Sequence, residues 1–182
     1  MRNFFGKSIL VVIIMIMAST TVFAQGKGKM ALGANLNIGS GSDLTNFGLG
    51  VKFQYGITKE IRLEPSFNYF FEASNVSMWN LGVNAHYLFR SSSNKNLILY
   101  PIAGLAMVGT KVTIETDPIY MGGELIMPGT STSVTGSDLG INFGGGIEYK
   151  LNSKVSLSGE AKYQVVENYS RFIISGGVNF YL

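Results

Sequence analysis

The 182-residue chain has no cysteine, one histidine, one tryptophan and only four prolines. Without thiols it has neither a disulfide framework nor a thiolate metal site. Scarce proline leaves few points at which a strand ladder is forbidden. Long apolar runs are also missing. The longest, Ile9–Ala18, is far shorter than the roughly 20 residues a bilayer-spanning helix requires, and nothing comparable follows it. Strong charge of one sign is absent too. The formal charge is +3, and two of those cations, Arg2 and Lys7, sit in the N-terminal segment, so the remainder is close to neutral. Nothing in that balance points to nucleic acid. Glycine is plentiful, at 23 residues, as are phenylalanine at 12 and tyrosine at nine.

The basic start, the apolar run and the short residues Ser19–Ala24, with Val22 and Ala24 at the positions a signal peptidase reads, predict a cleavable secretory signal over residues 1–24. The next residue is Gln25 and not cysteine, so no lipoprotein signal is expected. Residues 25–182 suffice for one domain.

In that domain the period is two almost throughout. Phe47, Leu49, Val51, Phe53, Tyr55 and Ile57 alternate with Gly48, Gly50, Lys52, Gln54 and Gly56. Similar alternation marks strands over 30–38, 61–72, 79–90, 138–150, 155–165 and 171–182, and a weaker one over 97–115. The last is apolar on both faces up to Val108, which leaves its facing open. Pro65 lacks a ladder donor, so a bulge is expected there. Short turns at 58–60, 91–96 and 152–154 alternate with connections at 40–46, 73–75, 116–136 and 167–170. Eight strands of this length predict an all-β, eight-stranded antiparallel up-and-down transmembrane β-barrel, a closed structure that satisfies every backbone group within lipid.

The closing stretch Ser175-Gly-Gly-Val-Asn-Phe-Tyr-Leu182 resembles the C-terminal signal of outer-membrane barrels, with Ser175, Gly177, Phe180 and Leu182 at its defining positions. With Tyr55–Leu63, Gly144–Tyr149 and the meander, the chain resembles the small OmpA/OmpX-type outer-membrane β-barrel family across residues 25–182. The resemblance implies bacterial outer-membrane residence, periplasmic termini, and contact with outer-membrane lipid and lipopolysaccharide. It also implies recognition by the barrel-assembly machinery through the last strand. A peptidoglycan-binding domain of the kind that follows the barrel in some relatives is not expected.

The predicted lumen carries Lys52, Arg62, Glu64, Glu72, His86, Arg90, Lys111, Glu148, Lys150, Glu160, Lys162 and Arg171. An eight-stranded interior is just wide enough for side chains to fill, so these charges read as a structural network, with a gated ion pathway as the functional alternative. Lys52 and Glu64 are expected to meet diagonally. His86 reads as hydrogen-bonded structure, because the His-x-Ser pair of lipid A deacylases is missing (Tyr87 and Leu88 follow it) and no Ser/His/acid set can be assembled. Gly144–Gly146 lack the strand-to-helix context of a phosphate loop and read as relief of crowding. Asp117, Glu124 and Asp138 match no calcium loop, and no metal or cofactor is expected. Aromatics near both strand ends form two interfacial girdles. The apolar 116–136 loop is either a surface for a ligand or a strand extension.

These features predict a monomeric, non-enzymatic barrel with a side-chain-plugged lumen and a structural or surface-interaction role. The alternatives are a narrow pore, a lipid-modifying barrel enzyme and a soluble lipocalin-like binder. The last would place Phe53, Tyr69 and Val83 in an internal cavity.

Overall fold

The computed structural model describes residues 28–41, 44–116, 118–121, 124–127, 129–167 and 169–182. The expected signal at 1–24 lies outside them. The staves of the barrel are β1 (Met30–Gly41), β2 (Leu44–Gly56), β3 (Ile61–Ala73), β4 (Val76–Tyr87) with its continuation β5 (Phe89–Arg90), and β6 (Leu97–Thr116). A short hairpin, β7 (Ile119–Met121) and β8 (Glu124–Met127), precedes β9 (Thr130–Lys150), β10 (Val155–Val166) and β11 (Tyr169–Tyr181). Neighbouring staves pair antiparallel. The ring closes where β1 pairs β11, from Ala31↔Tyr181 to Ser40↔Phe172. Closure leaves no open edge in the wall, the condition for a sheet surrounded by hydrocarbon.

Burial is inverted relative to a water-soluble barrel. Among the described residues, 23 buried side chains are polar or charged and 11 are apolar, while 34 large apolar side chains are exposed. Tyr69 and Val83, which a lipocalin-like fold would enclose, lie on the outer surface. The soluble reading is thereby corrected, because the apolar face of each strand points outward. Exposed Tyr55, Phe89, Tyr149 and Phe180 ring one end of the wall, and Phe47 and Phe71 ring the other.

The connections at one end are tight and locally satisfied. Thr58 Oγ1 accepts from the backbone N–H groups of Glu60 and Ile61 at 3.1 and 2.9 Å. Asn152 Oδ1 accepts from those of Lys154 and Val155 at 2.8 and 2.9 Å, an Asx turn. At the other end, Ser74 and Asn75 both adopt positive φ (49° and 63°) in a two-residue hairpin, the geometry that matches strand twist. Of the expected loops, residues 40, 41 and 44–46 of the first and 169 and 170 of the last belong to strands.

The largest departure is at 116–136. β6 and β9 remain paired from Leu97↔Tyr149 to Thr116↔Thr130, whereas β4 leaves β6 at Val112 and β10 leaves β9 at Gly140. The expected loop is therefore largely a two-stranded arm rising beyond the wall. The facing of β6 is also settled. Ile98, Tyr100, Ile102, Ala106 and Val108 are buried, whereas Leu99, Leu105 and Met107 are exposed. Pro65 makes no bulge. The β2–β3 ladder skips Phe53 and Gln54 and resumes at Tyr55↔Leu63 in unchanged register, so the missing N–H costs rungs without a shift. The irregularity falls instead between Phe70 and Ala73.

Glycines supply room inside the wall. A Cβ on Gly146 would collide with the Tyr100 ring, which lies across the space that glycine leaves. At Gly176 nothing lies within 4 Å of such an atom. Gly146→Val should therefore destabilise the barrel by about 1–3 kcal/mol through overpacking, and Gly176→Ala should be nearly neutral. Urea unfolding in lipid vesicles checks this; equal midpoints for the two variants would refute the packing account.

Candidate functional site: the barrel lumen

Inward-facing positions on seven staves converge on one hydrogen-bonded charge chain. β10 contributes Glu160, whose Oε1 receives Lys52 Nζ at 2.6 Å and the Tyr100 hydroxyl at 3.1 Å, while Oε2 receives Lys162 Nζ at 2.9 Å. Lys52 also lies 3.3 Å from Glu64 Oε2, the diagonal pair expected from the β2–β3 turn. Glu64 Oε2 accepts from Gln54 Nε2 at 2.8 Å, and Gln54 Oε1 accepts from Arg62 Nη1 at 3.1 Å. Arg62 Nη1 then meets Glu148 Oε2 at 2.6 Å, and the Tyr181 hydroxyl donates to the other oxygen of Glu148. All three carboxylates thus have cationic partners, the condition under which buried ions are tolerated.

His86 is held within this chain. Its Nδ1 accepts from Arg62 Nε at 3.2 Å. Because arginine only donates, the proton of the neutral ring belongs on Nε2. The ring stacks on Tyr100 with centroids 4.7 Å apart and 22° between planes. The Arg62 guanidinium lies 4.8 Å from the centroid of the same tyrosine. A histidine whose acceptor nitrogen is already engaged by a guanidinium is poorly placed to take a proton from a substrate.

Farther from the tight-turn end comes a layer of amides. Asn68 Oδ1 accepts from Asn35 and Asn37 at 2.9 and 3.0 Å, and the Ser175 hydroxyl donates to Asn37 Oδ1 at 2.6 Å. Asn142 donates to Asn84 at 3.0 Å and accepts from Gln164 at 2.8 Å. Arg171 follows, donating to Gln164 Oε1 at 2.8 Å, with its guanidinium 4.3 Å from the centroid of the Phe70 ring. Arg171 has no carboxylate partner among the described residues. Stacking on Phe70 gives it part of what an anion would otherwise supply.

Seven of the sequence-predicted lumen charges are buried: Lys52, Arg62, Glu64, Glu148, Glu160, Lys162 and Arg171. Four are displaced. Glu72 is exposed, next to the irregularity that ends the β3 ladder. Arg90 is exposed on β5 at the rim, where its Nη1 donates to the Lys59 carbonyl. Lys111 is exposed at the base of the arm, on the outward register set by Leu99, Leu105 and Met107. Lys150 is half-buried at the mouth, 5.7 Å from the Tyr181 ring centroid. Sequence reasoning missed Tyr100, hidden in a run apolar on both faces. Its signal was a tyrosine at buried parity, whose hydroxyl needs a partner. It also missed the role of Gln54 and Tyr181 as bridges.

In the closing strand, Ser175 is buried and Phe180 and Leu182 are exposed. A Cβ on Gly177 would meet the Ala34 carbonyl oxygen at 2.6 Å. Among the described residues no cluster of three or more His, Cys, Asp or Glu is placed to hold a metal. Asp117 and the side chain of Glu124 lie outside the described part, and Asp138 is half-buried on β9.

The sequence profile of the outer membrane protein beta-barrel domain matches residues 8–180. The chain belongs to this outer-membrane β-barrel family. Solved barrels share its fold. Neisserial surface protein A superposes with a TM-score of 0.60 at 18% identity, covering 84% of this chain and 95% of its own. The N-terminal barrel domain of Pseudomonas aeruginosa OprF gives 0.59 at 17%, covering 87% and 100%. Ail, the attachment invasion locus protein of Yersinia pestis, gives 0.58 at 15%, covering 87% and 99%. No curated protein matches in sequence.

In this outer-membrane barrel, Glu160 is the hub of the charge chain. Glu160→Gln should destabilise it by about 3–5 kcal/mol, because two buried cations lose their shared anion. Combining it with Lys52→Met should recover part of the loss. Guanidinium unfolding in vesicles measures both, and a wild-type midpoint for Glu160→Gln would contradict the assignment.

Proposed function

We propose that the protein is a monomeric, non-enzymatic outer-membrane barrel whose lumen is plugged by its own side chains, and that it serves a structural or surface-interaction role. The observation that carries the reading is the continuity of the lumen filling. The charge chain gives way to the amide layer and then to the Arg171–Phe70–Met78 contact, where Arg171 Nη1 lies 3.2 Å from Met78 Sδ. Between the amides lies a small void of about 10 Å³, lined by Asn37, Asn68, Asn80, Asn84 and Asn142 among others. That is room for about one water, and not a solute path. The narrow ion pathway is the rival, and it requires the Lys52–Glu64–Glu160 contacts to open.

Family and topology support a matching address. A secretory signal at 1–24 would deliver the chain, the closing strand (Ser175, Gly177, Phe180, Leu182) would engage the assembly machinery, and the exposed apolar wall would face lipid and lipopolysaccharide. Short turns face the periplasm in this class. Both termini therefore belong there, and the β6–β9 arm belongs outside. The arm carries Val112, Ile114 and Val134 exposed, a contact surface for a ligand in the 116–136 region. Ail, a barrel of the same fold, is described as an attachment invasion locus protein, which supports a surface role for this one.

Two experiments test this reading. Refolded protein in planar bilayers should insert without discrete conductance steps. Steps altered by Glu64→Gln would make the pore reading primary. The chain contains no cysteine, so Ser131→Cys on the arm and Ser153→Cys in a tight turn each provide a single label site. In intact cells a membrane-impermeant maleimide should modify the first and spare the second, and the reverse pattern would invert the orientation.

A further inference from the structure

The tight-turn end of the barrel opens into a cavity of about 280 Å³ whose lining includes Lys29, Lys59, Arg62, Arg90 and Lys150 and no carboxylate. Arg62 is spent on Glu148 at the floor of this mouth. The other four form no ion pair among the described residues. Lys150 is repelled by Lys29, Arg90 and Arg62 and attracted by Glu148, which is itself already paired with Arg62. Elsewhere in this lumen cations are matched by carboxylates or, at Arg171, by an aromatic face. Here four cations without an ion pair among the described residues border an open space. Tyr181 and Gln54 also line this space, their polar groups already engaged by Glu148, Glu64 and Arg62.

Such an arrangement selects a compact, multiply charged oxyanion. Three ammonium groups and a guanidinium from different segments (the residue before β1, the β2–β3 turn, β5 and β9) surround the volume. Each supplies N–H donors and no acceptor. Charge-assisted bonds from ammonium or guanidinium to phosphate oxygens are among the stronger polar contacts. We propose that this mouth is a binding site for a phosphate-type anion, either free or as the headgroup of an anionic phospholipid. Binding supplies the four cations with an anionic partner that they lack among the described residues. The inference depends on the proposed orientation only for its periplasmic address, since the site itself is defined by the cavity.

The test uses the refolded protein, with heat-modifiable gel migration confirming a folded barrel for every variant. Pyrophosphate is titrated calorimetrically in zwitterionic detergent. In parallel, nanodiscs of mixed phosphatidylglycerol and phosphatidylcholine report which lipid is retained, by native mass spectrometry. Lys29→Gln/Lys150→Gln should weaken the interaction by at least about tenfold, the loss expected for charged hydrogen bonds, while Lys111→Gln on the arm leaves it unchanged. Single Lys29→Gln, at an exposed position preceding β1, serves if the double variant does not fold. Pyrophosphate binding with this pattern identifies a free anion. Selective phosphatidylglycerol retention without pyrophosphate binding, lost in the double variant, identifies a headgroup. Binding in neither arm, or binding unaffected by the mouth substitutions or equally weakened by Lys111→Gln, overturns the proposal. A conducting lumen would revise the proposed function without touching this result.

Discussion

Hydrocarbon offers no water to unpaired N–H and C=O groups, so a strand wall within it must close on itself. The β1–β11 seam, running from Ala31↔Tyr181 to Ser40↔Phe172, meets that requirement. Once the ring is closed, each strand has a lipid side and an interior side, and the period of two divides its side chains between them. Leu36, Leu49, Val83, Leu105 and Ile141 go out; Asn35, Lys52, Asn84 and Glu148 go in. The same closure decides where the arm begins. Where β4 and β10 end, β6 and β9 have only each other to pair with, and the wall becomes a two-stranded ribbon.

The interior that closure creates is polar, which makes it demanding. A buried ion without a partner is far more costly than an exposed one, so the lumen is organised by pairing. Glu160 serves Lys52, Lys162 and Tyr100; Glu148 serves Arg62 and Tyr181. Space is allotted with equal economy, since the Tyr100 ring fits because position 146 is glycine. The mouth lined by Lys29, Lys59, Arg90 and Lys150 departs from this rule of pairing, with four cations gathered there and no ion pair among the described residues.

Much of this was legible in the chain. The alternation in β2 fixed its facing outright, because apolar and polar or glycine residues never trade places from Phe47 to Gly56. The Lys52–Glu64 contact followed from the turn that joins β2 and β3. Legibility failed where alternation fails. Between Leu97 and Val108 both faces are apolar, so nothing local says that Tyr100 points in, and the parity error carried Lys111 into the expected lumen. Glu72 and Arg90 have the correct alternation but sit at strand ends, where the wall stops and inward no longer means buried.

The sequence by itself determined the architecture: the strand number, the facing of the well-alternating strands and the polar character of the interior. These are consequences of a local period and of the ban on unpaired backbone in lipid. Only the tertiary structure decided which charges pair across the ring, because Lys52 and Glu160 lie on strands from opposite halves of the chain and meet at 2.6 Å across the lumen. It likewise decided that the 116–136 segment is mostly a paired arm, and that four cations from separate segments share one mouth. Contacts across a ring depend on closure and stagger, and these are properties of the whole wall.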